Sequence, residues 1–178
     1  MSMRDETELI QNSVLGDVDA YKMLLNKHLP YITNYVARMT KNSIDGEDIV
    51  QETFLRLWTH GSKFEPEKAM LSTWLHQIAH NLCIDYFRKN KRTSLEESKE
   101  EVSHYNSPLK ELEKIDKSKQ VSEVLMQLST RERSAVILCY YQEVSNKEAA
   151  LILEMSVSAL ESLLARGRNK LRGLLVRN

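Results

Sequence analysis

His76, His80 and Cys83 have the side-chain types and the spacing of metal ligands. On a helix, positions i, i+4 and i+7 share one face, and imidazole with thiolate is a zinc-type donor set. No fourth ligand stands nearby in the sequence, so no metal and no cofactor is expected. Asp45 and Asp48 are the closest approach to a carboxylate pair. They open a helical stretch, where negative charge is favourable against the helix dipole, and this explains them better than acid–base work. Phosphate-cradling glycine loops, nucleophile elbows and H-E-x-x-H sequences are all missing, so no catalytic centre is expected. What remains is positive charge in two places. Arg88, Lys89, Lys91 and Arg92 crowd the end of one apolar-striped stretch, and Arg166, Arg168, Lys170, Arg172 and Arg177 follow the last acid of the chain, Glu161. Four cations in five positions exceed what a helix C-terminus needs, and contact with phosphate is the better use of them. Phe64, Trp74, Tyr86 and Phe87 interleave with the first cluster. That mixture suits single-stranded or distorted nucleic acid, where bases can stack, although Trp74 reads as core.

The second cluster sits on a recognisable frame. Ser129 with Glu132, and Ser145 with Glu148, each form the S-x-x-E signature of a helix start. The helix from Ser145 must be short, because Glu154-Met155-Ser156 separates it from a third helix capped by Ser156 or Ser158. The buried stripe of that helix is Leu160, Leu164, Gly167, Leu171 and Leu174, spaced alternately four and three. Its outward face carries Ser158, Glu161, Ser162, Ala165 and Arg166. A short helix, a tight turn and a longer helix with a basic end form a helix-turn-helix able to enter a major groove. An ordinary helical hairpin has the same pattern, and this segment alone leaves both open.

The chain has 178 residues, 42% of them apolar, enough for one domain or two small ones. Its 25 basic and 25 acidic residues balance, but unevenly along the chain: residues 93–120 hold 5 and 7, and residues 121–178 hold 8 and 6. Five glycines, three prolines and little strict alternation predict an all-α fold. Cys83 and Cys139 lie in apolar helical patterns and are expected as reduced core thiols. Neither a signal peptide nor an apolar run long enough for a bilayer is present in the sequence, so a cytoplasmic protein is expected.

From the N-terminus, Leu9, Ile10 and Val14, then Tyr21, Leu24, Leu25 and Leu29, mark helical core broken at Gly16-Asp17. Pro30 interrupts or restarts the next helix, which contains Ile32, Tyr35, Val36 and Met39. The stretch from Asp45 to His60 places Val50, Phe54, Leu57 and Trp58 on one helical side, and Asp48, Gln51, Glu52 and Leu55 on the other. A leucine inside an acidic and amide rim is either an incidental exposed residue or a docking surface for a partner helix. Residues 61–71 read as a loop. A helix capped by Ser72 runs to about Lys91 with Trp74, Leu75, Ile78, Ala79 and Leu82 buried. Thr93 to Ser107 is acidic and polar and reads as a flexible linker. Pro108 opens a further helix bearing Leu109, Leu112, Ile115, Val124, Leu125 and Leu128.

DGEDIVQETFLRLW followed by LSTWLHQIAHNLCIDYFRKNKR resembles region 2 of the extracytoplasmic-function (ECF) sigma factors. LSTRERSAVILCYYQEVSNKEAALILEMSVSALESLLARGRNKLRGLL resembles their region 4. The two come in family order. The resemblance implies two small helical domains: region 2 over 1–92, an acidic linker over 93–107, and region 4 over 108–178. It implies binding to RNA polymerase core, with Asp48, Gln51, Glu52 and Leu55 on the β′ clamp helices and region 4 on the β flap. It implies −10 promoter contacts by Phe64, Asn81, Arg88, Lys89, Lys91 and Arg92, with Asn81 lining a pocket for an extruded base, whose unstacking needs such compensation. It implies −35 contacts by Ser158, Glu161, Ser162, Ala165, Arg166, Arg168 and Lys170. An anti-sigma factor, in this family often membrane-anchored, is a further implied partner, and no small-molecule substrate is. Glu161 and Leu163 depart from the basic residues common at those positions; Glu161 could accept from cytosine N4. Glu154 stands where a turn glycine is common. The alternatives are a stand-alone helix-turn-helix regulator and an adaptor protein that makes no DNA contact.

Overall fold

The computed structural model describes residues 3–41, 43–96 and 121–175, and these are helical with no strand. Helix α1 (Met3–Val14) ends at Gly16, whose φ of 97° lies in the left-handed region that favours glycine. Asp17 then caps α2 (Val18–Thr40), its carboxylate accepting from the Asp19 and Ala20 amides at 2.9 and 3.1 Å. Contrary to the expected break, α2 runs unbroken through Pro30. One lost backbone hydrogen bond is tolerated because Leu24, His28, Ile32, Tyr35 and Met39 bury the helix against its neighbours on both sides of the proline.

Helix α3 (Ile44–His60) and helix α4 (Leu71–Glu96) complete a first bundle with α1 and α2. Ile10, Leu24, Val36, Phe54, Leu57, Leu71, Leu75 and Ala79 fill it. Gly46 lets α3 approach α2; a Cβ there would stand 2.8 Å from Thr40 Oγ1. Buried Glu6 on α1 receives His28 Nε2 at 2.8 Å and Lys27 Nζ at 2.7 Å from α2. Burial alone would raise the Glu6 carboxyl, but hydrogen bonds from Lys27 and His28 hold it below its ordinary value. Helix α4 passes the expected end near Lys91 and continues to Glu96, into what reads as linker. The rest of the linker, and the helix expected from Pro108 over Leu109, Leu112 and Ile115, lie outside the described residues.

The second half opens with α5 (121–126), then α6 (Thr130–Val136), which continues as a π-type turn over Ile137–Tyr141. Helices α7 (Asn146–Ile152) and α8 (Val157–Leu175) follow. Both expected capping boxes are present. Ser129 and Ser145 accept from the amides of Glu132 and Glu148, whose carboxylates accept in return from the serine amides. Val124, Leu125, Leu128, Val136, Ile152, Leu160 and Leu164 form the core here.

The two halves pack together, α2 against α6 and its π-type extension, α4 against α7. Polar groups populate this contact. Tyr35 Oη lies 2.7 Å from Ser134 Oγ and 3.1 Å from His80 Nδ1, and Ser134 Oγ lies 3.1 Å from the same nitrogen; all three residues are buried. Arg133 gathers the ends of several elements, donating to the carbonyls of Leu125, Met126 and Leu128 and, across the contact, to that of Met39 at 2.8 Å.

Candidate nucleic-acid and polymerase interface

On α3 the apolar residues turned inward are Ile49, Phe54 and Leu57, with Val50 and Trp58 half-buried. Trp58 is held by Tyr21, whose ring meets it edge-on at 5.0 Å and whose hydroxyl donates to the Phe54 carbonyl. This fixes the rotation of α3 and turns Asp48, Gln51 and Leu55 to solvent, Leu55 with 53% of its surface exposed. Glu52 is half-buried beside them and accepts from Arg56 Nε at 2.8 Å. The sequence reading missed Ile44, 76% exposed, one helical turn before Asp48. Ile44, Asp48, Gln51 and Leu55 make one stripe, spaced four, three and four. Starting the helix at Asp45 hid it, although an isoleucine four residues before Asp48 was the available signal.

Phe64, on the loop after α3, is half-buried against Trp74 of α4, ring centroids 5.7 Å apart. Asn81 is exposed on α4. One turn earlier on the same face, Gln77 donates to Glu154 at 3.0 Å. Arg88, Lys89 and Lys91 are exposed further along, Arg88 3.0 Å from Asp85. The side chain of Arg92 lies outside the described residues.

The face of α4 carrying His76, His80 and Cys83 is buried, packed against α2 and meeting Ser134 of α6 through His80. His76 Nδ1 is engaged by the Ser72 carbonyl at 2.7 Å, and His80 Nδ1 by Tyr35 and Ser134. Among the described residues no three His, Cys, Asp or Glu side chains converge closely enough to hold a metal ion. Burial draws the His80 imidazole down to about 4 and pushes the Cys83 thiol up to about 12, leaving both neutral and unreactive near pH 7.

Helix α7 ends in a Schellman turn, Met155 donating to the Ala150 carbonyl and Glu154 to that of Leu151. Glu154 therefore occupies the left-handed position, with φ of 52°. A side chain there costs about 1–2 kcal/mol that glycine avoids. Ser156 Oγ accepts from the Ala159 amide and caps α8. Leu160, Leu163, Leu164 and Gly167 are buried, so Leu163 belongs to the core. A Cβ on Gly167 would stand 3.1 Å from Val136, which marks the crossing of α8 over α6. Ser158, Glu161 and Ser162 are exposed and Ala165 is half-buried on the outward arc. Asn169 and Arg172, also exposed, continue that arc by helical geometry.

Arg166, Arg168 and Lys170 flank the arc and are exposed, but unequally engaged. Glu132, its side chain 5% exposed, receives Lys170 Nζ at 2.9 and 2.7 Å on its two oxygens, and Arg166 Nε lies 4.0 Å away. Burial would raise this carboxyl, but hydrogen bonds from Lys170 and Ser129 bring it below its ordinary value.

These features define the class as a helical DNA-binding protein: a helix-turn-helix with an exposed polar and basic outer face, beside a bundle with an exposed stripe on α3 and a basic helix end. Residues 24–93 match the family model of Sigma-70 region 2, and residues 118–171 match that of Sigma-70, region 4. The chain is 30% identical to the RNA polymerase sigma factor YlaC of Bacillus subtilis over 158 residues, covering 86% of this chain and 91% of that one. To the ECF RNA polymerase sigma factor SigM of the same organism it is 28% identical over 157 residues, 88% and 93% of the two chains. Its fold is similar to that of the sigma factor RpoE of Bartonella quintana, solved in complex with the anti-sigma factor NepR, with TM-score 0.73 and 26% identity over 89% and 98% of the chains. The chain belongs to the ECF subfamily of the sigma-70 family of RNA polymerase sigma factors. It is a transcription initiation factor, of a family that binds RNA polymerase core and promoter DNA.

Proposed function

We propose that residues 1–92 dock on core polymerase and melt the −10 element, that 93–107 link the halves, and that 108–178 read the −35 element. The exposed stripe on α3 carries this reading: Leu55, ringed by Asp48, Gln51 and Glu52, is an apolar anchor with a polar rim, the anatomy of a helix-docking surface on the β′ clamp helices. Region 4 also meets the β flap. Phe64, Asn81, Arg88, Lys89, Lys91 and Arg92 take the −10 strand. Ser158, Glu161, Ser162, Ala165, Arg166 and Arg168 face the −35 groove, with Glu161 accepting from a cytosine, while Lys170 is held back by Glu132.

The protein acts in the cytoplasm and catalyses no reaction itself. Among the described residues no helix is long and apolar enough to cross a membrane. An anti-sigma factor holds it inactive, as the RpoE complex with NepR supports. The test separates docking from melting. Leu55→Asp should abolish co-purification with core, whereas Asn81→Ala should leave co-purification intact and reduce permanganate reactivity of −10 thymines. Equal loss of both signals in both variants would refute the division of labour.

A further inference from the structure

We infer that Ser162 is a second base reader, and that with Glu161 it forms a face offering only hydrogen-bond acceptors, which selects two neighbouring amino-bearing bases on one strand of the −35 element and excludes guanine from both. The inference rests on the proposal that α8 faces the −35 groove. It goes beyond a cytosine contact by Glu161 in assigning the neighbouring base and the forbidden one.

A serine hydroxyl has one proton and two lone pairs. In Ser162 the proton is already committed: Oγ donates to the Ser158 carbonyl, one turn back, at 3.0 Å. What this exposed oxygen offers outward is lone pairs alone. Glu161 is exposed beside it, and a carboxylate also only accepts. One turn to either side of Glu161 stand Val157, Ser158, Leu164 and Ala165, so no cation on α8 is placed to neutralise it. Arg166, one turn after Ser162, leans toward Glu132, 4.0 Å away, and Lys170 is bound there at 2.7 Å. Ala165 adds only a methyl. The exposed arginines Arg168 and Arg172 follow beyond this face.

Each base edge meets such a face differently. Guanine shows N7 and O6, and thymine shows O4, so both set lone pair against lone pair. Cytosine shows its N4 amino group with no acceptor beside it on the same base, which suits a carboxylate. Adenine shows its N6 amino group next to N7, and a neutral hydroxyl oxygen tolerates that neighbour better than a charged one. Glu161 therefore takes cytosine, and Ser162 takes cytosine or adenine. Consecutive residues are about 3.8 Å apart, close to the rise of about 3.4 Å between bases on a strand, so adjacent side chains meet adjacent bases. A carboxylate desolvated against guanine loses more than one hydrogen bond, which makes exclusion the larger effect.

The experiment uses holoenzyme made from the full chain and purified core, and sequences the transcripts from a promoter library randomised over the −35 element. Wild type should enrich cytosine at one position and cytosine or adenine at its neighbour on the same strand, with guanine depleted about tenfold at both. Ser162→Ala should flatten only the second preference, by about fivefold. Glu161→Gln, whose amide can also donate, should admit guanine at the first position only. In the selected element, the second base is then replaced by its amino-free counterpart, purine for adenine or 2-pyrimidinone for cytosine. This should weaken wild-type binding about fivefold and leave the Ser162→Ala protein unmoved.

Enrichment of guanine by wild type at a position that either variant alters overturns the inference. So does a Ser162→Ala protein that keeps both preferences, or one that loses transcription from every sequence alike, as a merely structural serine would. An amino deletion that weakens both proteins equally overturns it too. A wild type that transcribes the library with no base preference at −35 refutes the −35 reading of α8 itself, and this inference with it.

Discussion

Lys170 and Arg168 sit two residues apart on the same basic helix end, and the structure gives them different work. Lys170 is paired with both oxygens of a carboxylate that is 5% exposed, whereas Lys170 itself is 52% exposed. Breaking a buried pair is costly, but solvent screening of the half-exposed lysine reduces the expected loss to about 1 kcal/mol for Lys170→Met. Its contribution to DNA binding should be small, because its charge is already matched by Glu132. Each phosphate contact contributes about 0.9 to the slope of log affinity against log salt. The holoenzyme is titrated with a fluorescent promoter fragment at salt from about 50 to about 200 mM, and stability is measured by urea unfolding. Arg168→Met should lower the slope by about 0.9 and leave the unfolding midpoint in place. Lys170→Met should leave the slope in place and lower the midpoint. Equal slope losses for both would mean that the pair with Glu132 opens on DNA and that Lys170 is not held in reserve.

Acid should weaken the fold through its buried histidines. His80 titrates at about 4 in the folded chain and near 6.5 when unfolded, so between those values the unfolded chain binds the extra proton. Its stability contribution is fully present above about 6.5 and is lost as pH falls toward 4, about 3 kcal/mol in all. Burial lowers His28 and His76 in the same direction, and urea midpoints at pH 7 and pH 5 measure the sum, which His80→Gln should reduce. Burial raises both thiols, so a maleimide should label half-buried Cys139 slowly and Cys83 only on unfolding, as mass spectrometry would show. Gly46→Ala places a methyl 2.8 Å from the buried, hydrogen-bonded Thr40 hydroxyl and should cost about 1–3 kcal/mol in urea unfolding.

Local signals in the sequence carried far. Both capping boxes and the inward stripe of α8 follow from side-chain chemistry within one helical turn, and the structure has each of them. Where tertiary packing overrides local preference the sequence misled, as at Pro30, which a well-buried helix absorbs, and at the end of α4. Glu154 was visible as a turn residue that is not glycine, but its partner Gln77, 77 positions away, was not. The same distance effect hid the use of His80. Its spacing with His76 and Cys83 suggested ligands, and only the approach of Tyr35 and Ser134 from other helices shows its hydrogen-bonding role. Glu132 was read as a cap, which it is, while its second role depends on Lys170 arriving 38 residues later.

Run-off transcription with purified core polymerase on genomic promoter fragments, with and without this protein, decides whether the chain works as a sigma factor. Discrete promoter-specific transcripts should require the protein and disappear with Asp48→Ala/Gln51→Ala/Leu55→Asp. Tight binding to a palindromic operator without polymerase, and no stimulation of core on any fragment, would contradict it.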